Sequence, residues 1–237
     1  MRIKLGGTGA GFIYARLVPT STALVIFDCD GVLVDSERLA IELDIASIRE
    51  LGWDITEAEV LENFIGRAEH DIHAAIEDRI GRALTDEWHH RWGAEFQRVL
   101  AEELEPVPGV HAAVEAVAAM GLASCVASSG SHAKMRRTLG RTGLWDHFAG
   151  RIFSASEVAR GKPAPDLFLH AAARMGVPPS RCAVVEDSRF GVAGAKAAGM
   201  AAVGYAGGIT PGHHLTEADV VIKDMTELPD AVTQLLS

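Results

Sequence analysis

The sequence is short of cysteine, of positive charge and of long apolar runs, and each shortage excludes a class of protein. Among 237 residues there are three cysteines, Cys29, Cys125 and Cys182. The number is odd, no C-x-x-C occurs, and two of the three lie in apolar runs, so they read as reduced core thiols of a cytoplasmic protein without a structural disulfide. Lys and Arg total 22 against 32 Asp and Glu, a formal net charge of −10. That balance disfavours nucleic acid and anionic membrane as partners, and an anionic substrate would need a metal ion or particular Lys and Arg residues to overcome the field. Residues 1–22 lack the apolar run of a spanning helix or signal sequence. Their glycine cluster Gly6-Gly7-Thr8-Gly9-Ala10-Gly11 has neither the buried strand before it nor the long helix after it that a dinucleotide loop requires, so a flexible extension is expected.

What is present is concentrated in Phe27-Asp28-Cys29-Asp30-Gly31, directly after the apolar run Ala23-Leu24-Val25-Ile26-Phe27. On a strand, residues i and i+2 share a face. At the carboxyl end of a buried parallel strand that face opens on the crevice where α/β sheets bind ligands. Two carboxylates in one pocket repel unless a divalent cation lies between them or one keeps a proton for acid/base work, and both outcomes point to catalysis.

The chain is long enough for a sizeable domain with a smaller one inserted. From Ser36 to about Leu104 the spacing is helical throughout, with Leu39, Leu43, Ala46, Ile48 and Leu51 before Gly52 and a capping-box start at Thr56 to Glu59. Further helices are predicted over 69–80 and 85–101, and Glu105-Pro106-Val107-Pro108-Gly109 ends the block. Beyond it, helices 109–120, 131–140, 165–175, 189–198 and 226–236 alternate with strands 122–127, 151–154, 182–186, 201–205 and 219–222. Strands separated by helices imply right-handed crossovers and a mainly parallel sheet, joined by the strand at 23–27. The expected organisation is therefore an extension (1–22), a catalytic core (23–35 and 106–237) and a helical insertion (36–105).

Three more segments close or follow predicted strands: Ser128-Ser129-Gly130, Lys162-Pro163-Ala164-Pro165-Asp166 and Glu186-Asp187-Ser188. Singly, each has a bland reading. Asp35 and Ser36 suit a helix cap, Ser129 a loop, Lys162 a solvated lysine, and Glu186-Asp187 a helix-opening acidic pair. In this order, with Asp28-x-Asp30, the set resembles the haloacid dehalogenase (HAD) superfamily. The resemblance implies an α/β, Rossmann-like HAD core with a mainly parallel sheet and an inserted all-helical cap of the C1 type. It also implies Asp28 as the nucleophile that forms an aspartyl-phosphate, and Asp30 as the general acid and base, protonated at the start. Mg²⁺ would be held by the Asp28 carboxylate, the Asp30 backbone carbonyl and Asp187, with Glu186 close by or bound. Ser128 and the backbone beyond it, at Ser129 and Gly130, would bind phosphoryl oxygens. Lys162 would pair with phosphate and nucleophile, next to a Lys162-Pro163 bond that is cis in the family.

Within the superfamily, Asp30 argues against the dehalogenases and for phosphate chemistry. Lys134-Met135 and Phe168-Leu169-His170-Ala171-Ala172 resemble bacterial sugar-phosphate phosphatases of the 6-phosphogluconate phosphatase type, with β-phosphoglucomutase as the rival. Against the mutase, this chain has Ala40 where that enzyme has a histidine, and Glu69 where it has a phosphate-binding arginine. Arg67 is the candidate reader of the leaving group, and His132 a substrate-side contact. The other histidines form no zinc set, and Trp88 and Trp92 read as cap core. The expected partner is a small phosphorylated metabolite, bound by a monomer or weak homo-oligomer whose cap hinges near 34–37 and 103–108.

Overall fold

The computed structural model describes residues 23–64 and 69–237, without the side chains of Glu69 and His70. The expected extension at 1–22 and Arg67 lie outside the described residues. Six strands form one sheet: β1 (Leu24–Phe27), β2 (Ala123–Ser128), β3 (Ile152–Ser154), β4 (Cys182–Glu186), β5 (Ala201–Tyr205) and β6 (Val220–Ile222). Every pairing is parallel, in the order β3-β2-β1-β4-β5-β6. The strands are short and rich in valine and alanine, and β1, β2 and β4 at the centre are buried on both faces, as an all-parallel sheet between helices demands, while the edge strand β6 is partly exposed.

Alternation along β1 divides the interior in two. Val25 and Phe27 join the apolar layer under α5 (Val110–Ala119), α6 (His132–Arg141) and α10 (Leu228–Leu236). Leu24 and Ile26 join the layer under α8 (Asp166–Met175) and α9 (Arg189–Ala197). From β1 the chain winds outward through β2 to β3, then returns to β4 on the other side of β1 and winds outward again. The β1/β4 boundary is thus the switch point, where a crevice opens beyond the carboxyl ends of the strands.

Between β1 and α5 lie four helices, α1 (Ser36–Glu50), α2 (Glu57–Asn63), α3 (Glu69–Ile80) and α4 (Asp86–Glu102). They enclose an apolar cluster of their own, with Ile41, Ile48, Ile55, Val60, Phe64 and Ile76, and lean on the main core through Leu39, Val99 and Leu100. The capping box at α2 forms as the sequence predicts: the Glu59 amide donates to the Thr56 hydroxyl at 3.3 Å and the Thr56 amide to the Glu59 carboxylate at 2.8 Å. The outgoing and returning connections pair with each other, Asp35 N–H on Glu105 O at 3.0 Å and Val107 N–H on Leu33 O at 3.1 Å.

Differences from the predicted elements are local. A short helix, α7 (Trp145–Phe148), packs Phe148 against Phe27, their rings 5.8 Å apart. The last helix starts at Leu228 instead of 226, because a separate 3₁₀ turn capped by Asp224 occupies Met225–Glu227 and Pro229 then opens α10. The three cysteines are buried free thiols. Among the described residues, no helix is long and apolar enough to cross a membrane.

Candidate active site

Asp28 is the first residue beyond β1, tied to the neighbouring strand by its amide on Val185 O at 3.0 Å. Glu186 closes β4 and Asp187 follows it, so the switch point brings the three carboxylates together. One oxygen from each lies within 4.8 Å of the other two, and all three residues are buried. Lys162, beside a cis bond to Pro163, reaches in from the segment before α8 and donates to both Asp28 Oδ1 and Glu186 Oε1. Its stem passes the Phe168 ring, with Nζ 5.3 Å from the centroid. The other oxygen of Glu186 accepts from the Ser188 amide at 3.1 Å and hydroxyl at 2.8 Å. Glycine at 191 is obligatory, because a Cβ there would lie 1.8 Å from Glu186 Cδ.

One lysine does not balance this much negative charge. Burial, reinforced by Glu186 and Asp30 and opposed by Lys162, pushes the Asp28 carboxyl up to about 7. Burial, Glu37 and Glu186 push Asp187 well above the usual carboxylate range. Burial disfavours the Lys162 ammonium, yet Asp28 and Glu186 outweigh it and hold that group above its ordinary value. Glu37, from the first turn of α1, hydrogen-bonds Asp187 and is itself raised by burial. An all-oxygen, carboxylate-rich pocket with excess negative charge fits a hard divalent cation, which would supply the missing counter-charge.

Asp30 sits on the turn after Asp28. The turn is closed by Leu33 and Val34 amides on Cys29 O at 2.9 and 3.0 Å. Gly31 takes φ 75° there, and a Cβ on it would lie 2.2 Å from Asp187 Oδ2, so only glycine fits. Both Asp30 oxygens face donors: Ser36 Oγ at 2.7 Å from Oδ1, and Lys134 Nζ at 2.8 Å from Oδ1 and 2.9 Å from Oδ2. Opposite, Ser128 ends β2 fully buried, and its hydroxyl accepts from the Gly130 amide at 3.0 Å. Ser154 Oγ donates to Gly130 O at 2.8 Å and pins the loop.

The structure thus gathers Asp28, Asp30, Ser128, Gly130, Lys162, Glu186 and Asp187 around one crevice. Ser129 is exposed on the same loop. His132 is engaged elsewhere, its Nε2 paired with Glu157 at 2.8 Å. Three residues around the crevice had no site role in the sequence reading. Ser36 suited a cap, but its hydroxyl turns to Asp30, and Asp35, which precedes α1, caps nothing with its side chain and pairs with Arg38. Glu37 adjoins Asp187, and Lys134, noted only as part of a family-like run, meets Asp30.

Along α1, Ser36, Ala40 and Asp44 follow at helical spacing on one face, leading from Asp30 to a cavity of about 310 Å³ between α1, α3 and α4. Ala40, Asp44, Ile72, His73, Trp92 and Phe96 are among its walls. Trp88 is buried as expected, its indole N–H on Ser47 O at 3.4 Å. Trp92 instead lines the cavity, its N–H without an acceptor among the described residues.

Comparison with known proteins agrees with this geometry. The chain is 34% identical over 177 residues to 6-phosphogluconate phosphatase of Escherichia coli K12, covering 74% of this chain and 79% of that protein. It is 31% identical over 218 residues to β-phosphoglucomutase of Bacillus subtilis 168, covering 86% and 90%. A crystal structure of a conserved haloacid dehalogenase-like protein from Agrobacterium tumefaciens C58 superposes with a TM-score of 0.82 at 35% identity, over 91% of this chain and 99% of that one. The model of the haloacid dehalogenase-like hydrolases matches residues 22–199, the span that contains every carboxylate, lysine and serine of the crevice, and the chain belongs to that family.

Proposed function

We propose that this protein is a Mg²⁺-dependent phosphatase that hydrolyses a small phosphate monoester, of a sugar or sugar acid, through an aspartyl-phosphate on Asp28. The observation that carries the reading is Lys162 bridging buried Asp28 and Glu186 while Asp30, two residues on, stands against separate donors. One aspartate is held as a nucleophile and its neighbour is left to move protons. The name of the E. coli relative, a phosphatase of a phosphorylated sugar acid, supports the substrate class.

In the first half-reaction an Asp28 oxygen bonds to phosphorus, the bond from phosphorus to the leaving oxygen breaks, and its electron pair stays on that oxygen, which takes a proton from Asp30. In the second, water attacks phosphorus and gives its proton to Asp30, and the Asp28–phosphorus bond breaks to return the carboxylate. Lys162, Ser128 and the Gly130 backbone hold phosphoryl oxygens during both steps. The Asp28 and Asp187 carboxylates and the Asp30 carbonyl, with Glu186 adjacent, would hold Mg²⁺, which would supply charge neutralisation when bound. Residues 36–105 act as a cap over a core of 23–35 and 106–237. The cap turns on the paired connections at 34–37 and 103–108, and its cavity receives the leaving group.

The mutase reading is second. The B. subtilis relative favours it, but a mutase must hold a second phosphate, and the described walls of the cavity carry Asp44 and no Lys or Arg. The test is phosphate release from sugar phosphates, sugar-acid phosphates and phosphoglycolate, with Mg²⁺ and then with chelator, alongside conversion of β-glucose-1-phosphate to glucose-6-phosphate. Metal-dependent release is expected. Isomerisation without release would assign the mutase.

A further inference from the structure

We propose that Lys134 is a positioning residue for Asp30, holding the carboxylate that forms when Asp30 gives its proton to the leaving oxygen; the proposal rests on the phosphatase reading above. Five lysines occur in the sequence, and two of them meet the two aspartates of the first motif, Lys162 on Asp28 and Lys134 on Asp30. The second pair spans 104 residues, from the turn after β1 to the first turn of α6. Ser131 caps that helix, its Oγ accepting the Lys134 amide at 3.2 Å, which sets where residue 134 stands. From there the stem runs over Gly130, where a Cβ would meet Lys134 Cδ at 3.4 Å. The stem thus passes the glycine that presents its backbone beside Ser128 at an ordinary van der Waals distance.

An ordinary exposed ion pair carries little energy. This one differs in being three-sided: the ammonium contacts both Asp30 oxygens, and the Ser36 hydroxyl holds Oδ1 from α1. The side chains are 28% and 22% exposed, so the pair is sheltered and still open to the crevice. Among the described residues, the hydrogen bonds to the Asp30 carboxylate come from Ser36 and Lys134, an arrangement that suits the anion left after proton donation. When the leaving oxygen takes the proton, the charge that appears on Asp30 is met by groups already in place. The benefit is large where the leaving group must be protonated and small where it leaves as a stable anion.

The test compares kcat/KM, which reports steps through phosphoryl transfer to Asp28, for the preferred sugar phosphate and for p-nitrophenyl phosphate, in wild type, Lys134→Met and Lys134→Arg. Unfolding midpoints show that the variants fold. Lys134→Met is expected to lower kcat/KM for the sugar phosphate by about 10²-fold, the lower end for losing acid catalysis, and for the aryl ester by no more than about threefold. Lys134→Arg, which keeps the charge and can grip a carboxylate, is expected to recover most of that loss. Equal losses on both esters, no loss on either, or no recovery with arginine overturns the role of Lys134 and leaves the phosphatase reading standing. A wild type that releases phosphate from neither ester overturns the reading itself, and the proposal with it.

Discussion

The carboxyl edge of the sheet and the four-helix segment treat charge in opposite ways. At the edge, Asp28, Ser128, Ser154, Glu186 and Asp187 are all buried, and their partners come from distant parts of the chain: Lys162 on Asp28, Ser154 on Gly130. In the helical segment most charged residues stay in water: Arg38 pairs with Glu42 and Arg98 with Glu95 a turn away, and Arg91 with Glu50 across two helices, while Glu37, which adjoins Asp187, is the exception. Two apolar layers flank the sheet, whereas the helices share a smaller cluster. Burying unpaired or like charges costs several kcal/mol each. Only the part of the molecule with the larger core can carry that cost, so the clustered carboxylates sit there and the helices are left to shape the cavity.

Asp28→Asn breaks the comparison most sharply. Phosphate release is expected to fall by roughly 10⁴-fold or more, as when a covalent nucleophile is lost, while the unfolding midpoint stays level or rises because a buried carboxylate is gone. Substantial residual turnover would remove Asp28 from its role.

The next contrast uses two glycines with positive φ. Gly31→Ala places a methyl 2.2 Å from Asp187 Oδ2, and Mg²⁺ affinity by calorimetry is expected to drop about 10- to 100-fold, as for disturbed neighbours of metal ligands. Gly52→Ala in the helical segment, at φ 96° with open space around it, is expected to cost about 1 kcal/mol of stability and no metal affinity.

A smaller effect is expected from pH. Asp28 is raised in the folded protein from 3.8 to about 7, so between those values the folded state binds more protons than the unfolded one. This contribution to stability is complete below the unfolded value and lost as pH rises through the folded one, and Asp187 acts with the same sign. The unfolding midpoint of metal-free protein should therefore fall over this range, and Mg²⁺ should raise it more at about pH 8 than at about pH 5. Equal Mg²⁺ effects at both would mean that the buried carboxylates are not where the cation binds.

Much of the site was readable because it is local. Asp28 and Asp30 follow directly on the apolar run of β1, although a turn and not the strand carries them, and Ser128 and Glu186-Asp187 stand where predicted strands stop. The α2 capping box needed only Thr56 and Glu59. Lys134 was not readable as a site residue, since nothing in Ser131-His132-Ala133-Lys134 tells which carboxylate a first-turn lysine will reach. Ser36 and Glu37 looked like the start of a helix, and their roles depend on how α1 leans over the β1 turn. His132 is likewise placed by packing, paired with Glu157, 25 residues away, beside the loop after β2.

By itself, the amino-acid sequence determined the elements of this protein, the parallel character of its sheet, the helical insertion and the motif residues, because these follow from periodicities and turn signals that act over a few residues. Only the tertiary structure decided the strand order that puts β4 beside β1, the pairing of Lys134 with Asp30, and the cavity reached along α1. Those depend on which surfaces meet when the apolar layers close, and residues 104 positions apart become neighbours through packing alone.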